Sequence, residues 1–203
     1  MPRGPASKTG TGFMNPAMAP ARTRSVLLLQ DALEHGWLGE NRPIRALDAL
    51  CATGIRVRRW RNEIKDELQN RLHITANDLD ARALDWAIAS TNSDNDVVAI
   101  DPIDDEQIQP NFIERNGIKF QNCDARLAMV QGSFQWIDVD PFGSPIAFLD
   151  NALQALGRVG VLEVTATDTA ALTGSAATSG MRRYGHKGIC LLYTSPSPRD
   201  EQS

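Results

Sequence analysis

The sequence predicts a doubly wound α/β fold, a twisted parallel sheet with helices on both faces. Three observations carry the prediction. Short apolar runs alternate with helix-period segments; the first run leads straight into a glycine turn that opens a helix; and four runs end on acidic residues, where such sheets hold ligands. Residues 44–50 read as the first strand and residues 55–68 as the helix after it. Residues 72–76 read as a second strand ending at Asn77-Asp78, followed by a helix over about residues 81–91 with Leu84, Ala87 and Ile88 on one face. Residues 93–116 are acidic, broken by Pro102 and Pro110, and read as an inserted, solvated loop with at most a short turn. Residues 117–121 give a third strand, 125–130 a short helix, 134–139 a fourth strand, 146–156 a helix and 159–165 a fifth strand.

A chain of 203 residues has room for one domain with a sizeable core, and its apolar and charged fractions are those of an ordinary globular protein. No apolar run reaches the roughly 18 residues of a membrane-crossing helix, and no signal-peptide apolar core follows the basic N-terminus. A cytoplasmic protein without membrane association is the expectation. Cys51, Cys123 and Cys190 are odd in number, widely spaced and without a Cys-x-x-Cys pair, which argues against a disulfide framework and a zinc site. His35, His73 and His186 are equally scattered, so no metal is expected.

The net charge of -4 conceals an asymmetry. Residues 1–62 carry ten Lys or Arg against four Asp or Glu, and residues 63–203 carry eleven against twenty-one. The basic excess lies in the N-terminal arm and in Arg56, Arg58, Arg59 and Arg61, which form either a solvated face or the place where a phosphate-bearing partner is held. An acidic chain as a whole argues against strong nucleic-acid affinity of its own.

Chemistry is expected at the strand ends. The first is Asp48-Ala49-Leu50-Cys51-Ala52-Thr53-Gly54-Ile55-Arg56, an acidic strand end and a tight turn with Gly54 as its one glycine. The G-x-G-x-x-G dinucleotide fingerprint is absent, which speaks against NAD but not against S-adenosylmethionine, which has no pyrophosphate to seat. Asp78 stands roughly 20 residues beyond the glycine turn, where an acid accepts hydrogen bonds from ribose hydroxyls. Asp124-Ala125 stands where an adenine edge would lie. Each acid also has a plainer reading as a helix N-cap: Asp78 or Asp80 for one helix, Asp124 for another. The fourth end is Asp140-Pro141-Phe142-Gly143-Ser144-Pro145. It reads either as an ordinary strand-ending turn or as an acceptor-rich pocket for the amino group of a flat base, with Pro141 contributing no N–H and Gly143 allowing close backbone approach.

The motifs Phe13-Met14-Asn15-Pro16, Asp48 to Arg56, Asn77-Asp78, Asp140 to Pro145, and Thr165-Ala166-Thr167-Asp168-Thr169 occur in an order and spacing that resembles the tRNA guanine-26 N2-dimethyltransferases, in their archaeal-type form, over about residues 12–185. The resemblance implies a Rossmann-like class I S-adenosylmethionine-dependent methyltransferase sheet, tRNA as partner, and transfer of methyl groups to the exocyclic N2 of guanine. It implies that Arg22, Arg59, Asp78, Asp124 and Ala125 bind S-adenosylmethionine, beside Asp48 and Gly54 of the first turn. It also implies that Asp140 is the catalytic acid and that Phe13 and Phe142 hold the target guanine. Asp140 and the Pro141 carbonyl would then accept the two amine hydrogens while Phe142 stacks on a base that has left its helix. Both Phe residues also fit a core reading, and Asp168 and Thr165 either line the same cleft or cap the next helix. An amino-group methyltransferase acting on DNA adenine or protein, and an inactive cofactor-binding fragment, remain the alternatives.

On this basis residues 1–30 are a basic arm carrying the Phe-x-Asn-Pro motif, residues 31–188 an incomplete catalytic domain, and residues 189–203 a foreign or disordered tail rich in Ser, Pro and charge. The family's sheet would then lack its last two strands, leaving the fourth expected strand with an exposed edge or a makeshift cover.

Overall fold

The computed structural model of the chain describes residues 15–40, 42–91 and 112–185. Phe13, Cys190, His186, most of the expected 93–116 loop and the whole of the expected 189–203 tail lie outside the described residues.

A short 3-10 turn, Pro16–Met18, leads into α1 (Ala19–Glu34), with Pro20 in its first turn, where a missing N–H costs nothing. Its buried positions Arg22, Ser25, Val26, Leu29, Ala32 and Leu33 recur at three- and four-residue steps and turn one stripe to the core. The helix therefore runs across residue 30, where the sequence reading drew the limit of a basic arm. β1 (Ile44–Asp48) follows, then α2 (Ile55–Glu63) and the one-turn α3 (Asp66–Gln69). The single helix expected over residues 55–68 is thus broken, because Ile64 and Lys65 turn extended and Ile64 drops into the core. β2 (Leu72–Asn77) and α4 (Ala81–Ala89) stand as expected, with the side chain of Asp80 capping α4 through the Arg82 N–H.

Residues 112–116, expected as loop, instead contain the edge strand β3 (Phe112–Arg115), paired antiparallel with β4 (Ile118–Gln121). The hairpin turns at Asn116 and Gly117, both at positive φ, the pair of conformations a two-residue turn requires. The Lys119 ammonium lies 4.3 Å from the Phe112 ring centre, across the hairpin. Then come α5 (Ala125–Val130), β5 (Phe134–Val139), α6 (Ile146–Ala155), β6 (Leu156–Val164), α7 (Thr169–Leu172) and α8 (Ala177–Tyr184).

The sheet order is β3-β4-β2-β1-β5-β6, and every pair except β3 with β4 is parallel. Of the exposed edge or cover expected on the fourth predicted strand, here β5, the structure shows a cover: β6 pairs along it and is the edge strand among the described residues. It starts at Leu156, three residues before the predicted start, since the strand continues through Gly157 and Gly160 instead of waiting for them.

The chain leaves β1 toward β2 on one side and later returns to β5 on the other, so a crevice opens at the carboxyl ends of β1 and β5. One sheet face packs Ala46, Ile74 and Trp136 against Leu29, Leu33, Val57, Trp60 and Leu84. The other packs Leu47, Ile137 and Val139 against Met129, Ala152 and Ala155. Helices α1, α2 and α4 cover the first face, and α5 and α6 the second. Two fully buried indoles need partners for their N–H groups: Trp60 donates to Ser25 Oγ at 2.9 Å, and Trp136 to Glu163 Oε2 at 3.0 Å. Ser25 in turn donates to the same Glu163 oxygen at 2.5 Å, so a polar seam runs under α1 toward the crevice. Among the described residues no helix is long and apolar enough to cross a membrane.

Candidate functional site

The change from core to site falls between two neighbouring rows of the sheet. Ile74, Ala46, Trp136 and Val161 are register partners on β2, β1, β5 and β6, and all are apolar. Two residues further along the same face, the partners are Ala76, Asp48, Asp138 and Glu163. Three carboxylates thus stand side by side on adjacent strands, with Asp140 just beyond the end of β5.

One guanidinium lies over this row. Gly54 at φ 67° opens α2 and puts Arg56 in its first turn. Its Nε is 3.0 Å from Asp138 Oδ2, its Nη2 donates to Asp140 Oδ2 at 3.2 Å, and its Nη1 is 3.9 Å from Glu163 Oε2. Asp138 Oδ2 is close to Arg56 but out of line with its N–H, and it accepts no hydrogen bond. Burial pushes the Asp48 carboxyl up to about 7, with the Asp140 charge adding and Arg56 opposing. Burial, then the neighbouring Asp48 charge, pushes Asp138 well above the carboxylate range. Around neutral pH this pair accordingly retains a proton. Burial disfavours the Arg56 charge, yet the carboxylates around it, Asp138 foremost, hold its pKa above the ordinary value.

Asp48, Arg56, Asp138 and Asp140 line a cavity of about 370 Å³ at the crevice, within the usual range for small-molecule sites. Four Asp (48, 78, 138 and 140) line it against two Arg (22 and 56), which leaves an acidic interior suited to a cationic ligand. The Asp140–Pro145 turn forms one wall. Its Gly143 N–H donates to Thr167 Oγ1 at 2.9 Å and the Gly143 carbonyl accepts from the Thr167 N–H at 3.0 Å, a two-way clip to the segment after β6. Pro141 is buried, and Phe142 lines the cavity with 61% of its surface exposed, an aromatic face at the entrance. Asp168 accepts from the Tyr184 hydroxyl at 2.5 Å and from Arg183 Nη1 at 3.1 Å, which fastens α8 to the start of α7.

The structure brings together Arg22, Asp48, Asp78, Asp140, Pro141 and Phe142 from the sequence-based set. Arg22 is buried and donates to the Asn15 carbonyl at 3.1 Å, bringing the Asn-Pro end of the N-terminal motif against the cavity. Burial, then the Arg56 charge, lowers its pKa. Both Asp78 oxygens already accept backbone N–H groups, from Ala52 at 2.8 Å and Asp80 at 2.9 Å, and burial raises its pKa. Gly54 does not line the cavity; it shapes the turn whose Thr53 and Ile55 do. Arg59 points away, to Glu63 Oε2 at 2.7 Å and Thr23 Oγ1 at 3.0 Å. Asp124 caps α5 and pairs with Arg126 at 2.6 Å, which pulls its pKa down to about 2, and neither it nor the buried Ala125 lines the cavity.

Three participants escaped the sequence reading. In the sequence Arg56 reads as one of a basic cluster, either a solvated face or a place for a phosphate-bearing partner, but it is buried among carboxylates. Its companions are also engaged, Arg58 with the Thr53 carbonyl and Ser90, and Arg61 with Gln69. Asp138 passed as strand interior; its charge inside an apolar run was the available signal. Thr167 stood in a recognised motif with no role attached to it.

The profile of the family described as "TRM: N2,N2-dimethylguanosine tRNA methyltransferase" matches residues 5–191. The chain is 36% identical over 176 residues to a tRNA (guanine(26)-N(2))-dimethyltransferase of Pyrococcus furiosus, covering 85% of this chain and 41% of the relative. It is 30% identical over 172 residues to a tRNA (guanine(26)-N(2)/guanine(27)-N(2))-dimethyltransferase of Aquifex aeolicus, covering 85% and 38%. The structure of Trm1 from Pyrococcus horikoshii in complex with S-adenosyl-L-methionine superposes with a TM-score of 0.70 at 30% identity, over 91% of this chain and 45% of that one. The chain spans about two fifths of the length of these two relatives.

Proposed function

The chain belongs to the N2,N2-dimethylguanosine tRNA methyltransferase family, and from that premise we propose that it methylates the exocyclic N2 of guanine 26 in tRNA, with S-adenosylmethionine as cofactor and the cytoplasm as its place of work. The observation that carries the reading is the pairing, at one strand end, of Asp140 and Pro141 in the cavity wall with the exposed Phe142 ring beside them. The residues present fit the cofactor: the cavity lining carries more carboxylates than guanidiniums, a suitable surrounding for a sulfonium cation. Asp48 and Asp78 at the ends of β1 and β2, with Arg22 across from them, are the residues to hold it. When bound, the cofactor supplies an electrophilic methyl group.

The guanine N2 lone pair is delocalised into the ring, so the amine is a weak nucleophile until its hydrogens are held. Asp140 accepts one and the Pro141 carbonyl the other, which draws the nitrogen toward sp³ geometry and stabilises the positive charge that develops on it. Phe142 stacks on the base and keeps it in the cavity. Phe13 belongs to the same clamp in this reading. Arg59, Asp124 and Ala125 lie outside the lining of this cavity, and their part in the cofactor site rests on the family resemblance alone.

The test is transfer of labelled methyl groups to unmodified tRNA by the wild type, Asp140→Asn and Asp140→Ala. Label at guanine 26 that falls about 100-fold or more in both variants is the expected result. Label in DNA or protein alone, or label in tRNA that survives both substitutions, overturns it.

A further inference from the structure

We propose that Arg56 is the positioning residue for Asp140: anchored on Asp138 and Glu163 inside the sheet, its guanidinium ties back one carboxylate oxygen of Asp140 and leaves the other to the cavity. The inference rests on the reading of Asp140 as the group that grips the substrate amine.

The geometry is specific. Asp138 and Asp140 are two residues apart on β5 and its continuation, so their side chains fall on the same side of the strand. The Nε and Nη2 atoms on one edge of the Arg56 guanidinium reach them separately, Nε at 3.0 Å from Asp138 and Nη2 at 3.2 Å from Asp140. Among the described residues, Arg56 makes the only hydrogen bond to the Asp140 carboxylate, and it engages Oδ2 alone. Among the described residues the two oxygens are therefore inequivalent, Oδ2 engaged by Arg56 and Oδ1 not. Arg56 is 5% exposed and Asp138 1%, so the tether is set in packed structure, whereas Asp140 itself, with 27% of its side chain exposed, faces the cavity.

The chemistry requires an arginine. A lysine carries one ammonium, which approaches Asp138 or Asp140 but cannot lie against both; the planar guanidinium sets Nε beside Asp138 while Nη2 donates to Asp140. Asp138 is the backstop. It draws Arg56 into the sheet and, with Glu163 beyond it, fixes the angle at which Nη2 is presented. The cost of a loose Asp140 is set by orientation: displacement of a catalytic group by about 1 Å lowers turnover on the order of 100-fold.

The test uses the full chain with two variants. Arg56→Gln combined with Asp138→Asn removes the guanidinium together with the acid that faces it, so no carboxylate is left facing a missing cation at position 138 while the tether is lost. Arg56→Lys keeps the charge but loses the fork. Both are compared with wild type by urea unfolding, by kcat and KM on unmodified tRNA, and by crystallography of the Asp140 side chain. The expected outcome is an unchanged KM, a kcat lower by about 100-fold in the double variant, partial recovery in Arg56→Lys, and an Asp140 carboxylate rotated from its wild-type setting. Retained kcat in the double variant, or an unrotated Asp140, overturns the proposal. A wild type that transfers no methyl to tRNA defeats the activity reading instead, and the Asp140 orientation then decides the role of Arg56 on its own.

Discussion

Replacing Asp48 by Asn tests the electrostatics of the acidic row through stability. Asp48 titrates at about 7 in the fold, chiefly because it is buried, against an ordinary value of 3.8. Between those values the folded protein keeps a proton that the unfolded chain has lost. Stability from this group is fully present below the lower value, falls as pH rises through the window, and levels off above the upper one. The whole window is worth about 4 kcal/mol, of which about 2–3 kcal/mol falls between pH 5 and pH 8. Asp78 and Asp138, also raised by burial, slope the same way. Glu34, Glu63, Asp124 and Asp168 are lowered, chiefly by side-chain hydrogen bonds, and their opposite contribution is complete by about pH 5. Asp48→Asn removes one buried acid and the like charge beside Asp138, which is then raised less, although burial, the larger cause, remains. Urea unfolding followed by tryptophan fluorescence, at about pH 5, 6, 7 and 8, is the assay. The wild type should lose stability across the series and Asp48→Asn should lose clearly less, with the remaining slope from Asp78 and Asp138. A wild type that gains stability from pH 5 to pH 8, or a variant with the wild-type slope, would refute the reasoning.

Gly54→Ala should destabilise the chain by about 2–4 kcal/mol, since the left-handed backbone disfavours a side chain and the new Cβ would lie 2.8 Å from that of Ala87; adding Ala87→Gly should recover only the steric part in urea unfolding. Thr167→Val keeps the shape but removes the acceptor for the Gly143 N–H, so the Gly143 amide should exchange with solvent about tenfold faster, and equal exchange would show that the clip does not hold the turn.

The parallel strands were legible because burial on both faces writes them as nearly continuous apolar runs, and β1, β2, β4 and β5 lie where those runs stand. β3 was hidden by its burial pattern, alternately exposed and half-buried, although the Asn116-Gly117 pair at its end was a readable hairpin signal. α1 was masked by the polar residues on its buried stripe: Arg22 and Ser25 read as part of a basic arm until the Asn15 carbonyl and Glu163 are seen to receive them. At the site, the residues that converge are those at strand ends, which topology alone gathers. Asp124 and Arg59 stay apart because each has a nearer partner, Arg126 and Glu63, and local pairing cannot be read from motif position. The setting of Arg56 depends on which residues of three strands lie level, a relation no linear pattern contains.

That levelness has a consequence for how the chain finds its fold. Sliding β5 by one residue past β1 would turn it over and bring Asp138 to the face where Ile137 and Val139 now pack against Met129, Ala152 and Ala155. A carboxylate there meets no cation and must either shed its charge or bear the cost of burial. Misaligned sheets are therefore penalised before any ligand is present, and Asp48, Asp138 and Glu163 act as a built-in test of alignment that only the native pairing under Arg56 passes.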